Sequence, residues 1–240
     1  MKTKTNLKAG PYRSGHRAAV TMLLAAALAF VPGVSVAGIP GPTMVAKLAS
    51  GNPNPTVSPI QSKAHGKTYS EWSVLWWQYF LPLTAAEFAD CTIGHSGKVA
   101  FLLTGPATCA GSVDPGTALF FPVANVECSS LEADPFHGRN AAERASCAAS
   151  FIAGVGTLSV TLDNKELKDL TDYHVLSPDF SFTVGPDNVF SIPCASECTG
   201  KSSGDGYYLM LTPLNPGHHT IHISASGFGI DTTFNLTVGH

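Results

Sequence analysis

Six cysteines, Cys91, Cys109, Cys128, Cys147, Cys194 and Cys198, stand in a chain whose first residues have the form of an export signal. That conjunction limits the fold more than any other feature, because an even cysteine count in an oxidising compartment reads as a disulfide framework. Six cysteines allow 15 pairings, and sequence alone does not choose among them. Closure entropy favours neighbours, Cys91–Cys109, Cys128–Cys147 and Cys194–Cys198, since short loops cost least to close. The rival reading, a zinc site built on Cys194-x-x-x-Cys198 with histidines, is the weaker one in such a compartment.

The export signal is read from residues 1–37. Lys2, Lys4, Lys8, Arg13 and Arg17 precede an apolar run from Ala18 to Phe30, and no acidic residue occurs before Glu71. Pro32-Gly33 and the small-residue stretch Val34-Ser35-Val36-Ala37 follow, which completes the pattern of a cleaved secretory leader. As a membrane anchor the run is broken too early, short of the roughly 20 apolar residues a span needs. No cysteine follows Ala37, so a lipid anchor is not expected either. The expected product is soluble, periplasmic or extracellular. Cleavage takes five of the 14 Lys+Arg and none of the 17 Asp+Glu, leaving 9 cations against 17 anions, a formal charge of −8. Phosphate backbones need clustered Lys and Arg, so nucleic acid is a poor partner for this chain.

Residues 38–66 are rich in Gly, Pro, Ser and Asn and read as a linker or a loosely laid arm. Residues 67–240 then read as a single domain. Thr68 with Glu71 has capping-box form, and predicts a helix carrying Trp72, Trp76 and Trp77 that stops before Pro82. A second helix is expected from Asn140, with Glu143 completing the box and Gly154 ending it. Elsewhere the period is two. Leu158–Leu162, Phe180–Val184 and 208–212 alternate, and further strands are expected at 99–103, 118–123, 219–224 and 233–238. Many short strands between Pro-Gly and Asn-Pro turns predict a mainly β fold, an Ig-like or jelly-roll-like antiparallel sandwich with one or two short helices, stapled by disulfides.

Several segments resemble those of a family of exported bacterial proteins with an aromatic helix of the WWQ kind. They are Glu71-Trp72-Ser73-Val74-Leu75-Trp76-Trp77-Gln78, the Cys-bounded Cys91 to Leu102, Pro115 to Asn125 with its ALFFP core, and Leu214 to His222 with PGxHTIH. The order is kept over about residues 66–238, and Tyr79 stands where members often have another tryptophan. The resemblance implies export and this segment order, and no activity.

Three constellations carry possible chemistry. Trp72, Trp76 and Trp77 could form a sugar-stacking platform, but indoles at helical spacing more often anchor a core. His218, His219 and His222 (with His240 as a further donor) could suggest a metal. Yet His218 and His222 on one strand face lie roughly 13 Å apart, too far to share an ion. Pro216-Gly217-x-His219-Thr220-Ile221 also resembles the last hairpin of Ig-like modules, where the histidine is structural. Glu127, Glu132, Asp134, His137 and Arg139 crowd one Cys-bounded loop, and Glu127, Asp134, His137 and Arg139 are the candidates if the protein is a hydrolase or lyase. A glycosidase would need two carboxylates about 5–9 Å apart across a cleft. No G-x-S-x-G, H-E-x-x-H or P-loop motif occurs. The favoured expectation is therefore non-catalytic binding of an envelope or extracellular glycan or protein, with no cofactor. The alternative is polysaccharide cleavage through the Glu127–Arg139 loop.

Overall fold

The computed structural model describes residues 52–239, so the leader 1–37 and the stretch 38–51 lie outside the described residues. The chain is mainly β, a two-sheet sandwich with helices. Its strands are β1 (Gly94–Ser96), β2 (Val99–Phe101), β3 (Thr108–Val113), β4 (Ala118–Ser129), β5 (Leu158–Leu162), β6 (Lys165–Glu166), β7 (His174–Leu176), β8 (Phe180–Val184), β9 (Cys198–Leu211), β10 (Gly217–Ala225) and β11 (Ile230–Val238). The first sheet runs β1-β2-β4-β9-β7, with β8 also on β9; the second runs β3-β11-β10-β5-β6.

The expected antiparallel order needs correction. β2 pairs β4 in parallel, and β3 pairs β11 in parallel, so both sheets are mixed. Parallel partners need a crossover rather than a hairpin, and no local turn signal marks that.

β4 and β9 form the centre of the first sheet, and nearly every residue of both is buried. Burial without alternation means both faces of that sheet are covered. One face carries Phe120, Gly204 and Tyr208 and receives α1 (Tyr69–Phe80), whose Tyr69 and Trp72 rings meet Phe120. On the other face, Ala124 packs with Ala225 of β10 and with Ile152 of α3 (Ala141–Ile152). The second sheet is covered on one face only. Val160, Leu162, Ile221, Ile223, Phe234 and Leu236 point into the core, and the residues between them are half-buried or exposed.

α1 starts as expected, with both arms of the Thr68–Glu71 capping box formed. A further short helix, α2 (Ala85–Ala89), opens on an identical box from Thr84 to Glu87, so the described residues hold three α-helices where one or two were expected. At α3 Asn140 caps Glu143 N, but Glu143 does not close the box; its carboxylate takes the backbone N–H and the side chain of Arg139 instead. The three disulfides join neighbours, Cys91–Cys109, Cys128–Cys147 and Cys194–Cys198. They fit a chain that folds in an oxidising compartment. Among the described residues no helix is long and apolar enough to cross a membrane.

Residues 52–66, expected as linker or loose arm, are seated on the domain. Asn54 Nδ2 donates to the Lys168 carbonyl (2.7 Å) and Asn54 Oδ1 accepts from Lys168 N (2.8 Å). Val57 is buried and bridges to Leu211 at the end of β9.

Candidate functional site

The three indoles are 1–2% exposed, which removes the surface sugar platform. Trp72 Nε1 donates to the Ala64 carbonyl at 2.8 Å and Trp76 Nε1 to the Leu102 carbonyl at 2.9 Å, so their polar ends are satisfied inside the fold. Trp77 lies flat against Gly204, where any Cβ would collide with its Nε1. The helix is core.

The loop residues proposed for catalysis do not converge. Glu127 projects from β4 and is 4% exposed, while Asp134, His137 and Arg139 are exposed on the loop. Arg139 forms its ion pair with Glu143 of α3 (3.1 Å), outside the set. His137 Nδ1 bonds the Glu132 carbonyl at 2.9 Å, not a carboxylate. The partner of Glu127 is Glu132, which the sequence sets beside it in the same Cys-bounded loop. The two carboxyls are buried together and act on each other's ionisation, so they do not flank an open space in which a glycosidic bond and a water could sit. The other Glu127 oxygen accepts from Ser202 Oγ on β9. Burial raises the Glu127 carboxyl well above the carboxylate range, and the adjacent Glu132 adds to it; burial also raises Glu132, against bonds from Glu127 and Ser129 that pull it back.

The histidines of β10 are used separately. His219 Nδ1 meets Asp163 Oδ2 at 2.7 Å and its Nε2 meets the Asn215 carbonyl at 2.8 Å. His222 Nε2 meets Asp231 Oδ1 at 2.7 Å, and His218 Nδ1 meets Thr237 Oγ1 at 3.1 Å. Among the described residues no group of three His, Cys, Asp or Glu side chains could hold a metal ion.

What the fold leaves open is the outer face of the second sheet. Register sets Thr108, Thr233, His222 and Thr161 in one row across β3, β11, β10 and β5, with Asn235 and Thr220 in the next. Ser112 and Thr237 continue it towards the end of β3. All are half-buried or exposed and short or hydrogen-bonding, and no Phe, Tyr or Trp lies among them. At that end Ser112 also lines an open cleft of about 510 Å³, with His95, Lys98, Asp114 and Thr117 around it. This junction of a flat hydroxyl-rich face with a polar cleft was not anticipated. Its signal was available in the alternation Thr233-Phe234-Asn235-Leu236-Thr237-Val238, every second residue polar beside an apolar partner.

No family model, curated protein or solved structure matches the chain. The reading of the site therefore rests on its geometry.

Proposed function

We propose that the protein is an exported, non-catalytic binding protein that takes an uncharged envelope or extracellular glycan across the outer face of the second sheet. The observation that carries this is the continuity, through Ser112, of the Thr/Asn/His face with the cleft around Lys98 and Thr117. Hydroxyl, amide and imidazole groups on a rigid sheet match the alternating donors and acceptors of a sugar chain. A cleft of this size has room for the end of a sugar chain, and neighbouring units extend over the rows of Thr233 and Asn235. The formal charge of −8 after loss of the leader disfavours an anionic polymer. Export itself rests on the leader pattern, on the three disulfides and on the resemblance to exported bacterial proteins.

Purified oxidised protein screened against neutral insoluble polysaccharides and cell-wall material tests the reading. Retention should fall at least tenfold in Thr233→Arg and Asn235→Arg, while their melts stay within about 0.5 kcal/mol of wild type, as surface changes do. Retention equal to wild type in both variants would remove the face from the function. Release of soluble fragments would establish the hydrolase or lyase alternative instead.

A further inference from the structure

The buried acid pair is not part of the proposed binding face and has its own logic. Glu127 is fixed in the middle of the central sheet, opposite Gly204 of β9. Glu132 sits on the loop 130–137 that closes over it. The loop is tied at its base by Cys128–Cys147 and by the bonds of Ser129 N to the Phe136 carbonyl (3.0 Å) and of Gly138 N to the Ser129 carbonyl (2.9 Å). Taken as two carboxylates, Glu127 Oε1 and Glu132 Oε2 are buried with no donor. Two carboxylates only accept, so a hydrogen bond between them requires one O–H.

A cation could also join two carboxylates, but the surrounding oxygens are set against it. Ser129 Oγ already accepts from Leu131 N (3.3 Å) and Glu132 N (3.2 Å), and Ser202 Oγ turns its proton towards Glu127. Both hydroxyls present hydrogens to the pair, where a metal would need their lone pairs. From the loop, the ionisable group facing the pair is His137, whose charge favours the ionised form of Glu132. From β9 the facing groups are Ser202 and Gly204; Lys201 is drawn away, its ammonium bonded to Ser181 Oγ at 2.8 Å. From α1 the facing group is the Trp77 indole, which does not titrate.

We propose that Glu127 and Glu132 hold one proton between them while the loop 130–137 is closed, and that losing it releases the loop: an acid-closed latch. Ionisation of both groups sets two negative charges in contact in a buried site. Glu127 is held by its strand, so Glu132 moves, and Leu131 leaves its seat against Gly200 of β9. The sign follows from the raised carboxyls. The closed state is favoured at low pH; the open-to-closed ratio rises about tenfold per pH unit between the ordinary carboxyl range of the open pair and the raised ionisation of the closed pair, and levels off above it.

Carbon-13 carboxyl NMR of the oxidised full chain, with hydrogen exchange over residues 130–137, tests this in wild type, Glu132→Gln and Glu127→Gln. In wild type the two carboxyls should titrate as one coupled system that still carries a proton well above the range in which an exposed glutamate ionises. Exchange in the loop should rise above its intrinsic pH dependence once that proton leaves. Either glutamine supplies an amide donor to the remaining carboxylate without a proton, so the extra pH dependence should vanish. Independent titration of both wild-type carboxyls near about 4.3 would overturn the proposal, and needs no variant to fold. So would a calcium-dependent protection of the loop that is lost in Glu132→Gln, which would make the occupant a cation.

Discussion

Trp76 shows what a single side chain does here. It is 1% exposed, packs at 4.7 Å from the Phe80 ring and 5.0 Å from Trp77, and gives its N–H to the carbonyl of Leu102. Trp76→Ala therefore removes both a large apolar volume and a satisfied donor, and should cost about 3–5 kcal/mol in a denaturant melt. A wild-type melt would contradict its place in the core. His219 offers a different test. Both of its ring nitrogens face acceptors, Asp163 and the Asn215 carbonyl, a set that only the imidazolium satisfies fully. Burial works against that charge, but the two bonds outweigh it and raise His219; the same contact lowers Asp163 against its own burial. The contribution of His219 is complete below its unfolded value of about 6.5 and fades as pH rises through the raised folded value. Asp163 contributes above its unfolded value and loses this as pH falls through the depressed one. The stability gap between wild type and His219→Gln should thus be widest at about pH 5–6 and shrink above neutrality. A gap that widens towards alkaline pH would reverse this assignment. That the three indoles form core was legible from their helical spacing. The Glu127–Glu132 contact was not, because adjacency across a folded loop has no periodicity.

Among the elements, α3 depends on a covalent link. It covers the face of β4 and β9 opposite α1 through Arg144, Ala148 and Ile152, and Cys147 fastens it to Cys128 of β4. The buried Arg144 adds an ion pair at 2.7 Å to the partly exposed Asp179, which also accepts from Ser203. Replacing Cys128 and Cys147 together by alanine should cost about 2–5 kcal/mol, with hydrogen exchange rising first in α3. Uniform loosening of the whole domain would mean the bridge staples something larger. Helix starts were readable wherever a Thr or Asn stood three residues before a Glu, and α2 was missed although Thr84 and Glu87 carry the same signal. The first half of β9, Cys198-Thr-Gly-Lys-Ser-Ser-Gly-Asp-Gly, reads as a loop in sequence. It is a strand because Trp77 and Leu131 press on it where only glycine fits, at Gly204 and Gly200. The parallel pairs escaped for another reason: pairing across a crossover leaves no mark on either strand.

The whole molecule is knit by contacts between residues far apart in the chain. Asn54 waits for Lys168, Val57 for Leu211, and β3 for β11, whose last residue is Val238. Non-local pairing of this kind slows folding, since large loops must close before any contact rewards them. For a chain made from its N-terminus, the first sheet cannot be completed before β9, which ends at Leu211, nor the second before β11, which ends at Val238. The first half of the chain, through β4 and α3, thus holds strands whose central partners are made only in the second half, and neither layer of the sandwich can close on local contacts alone.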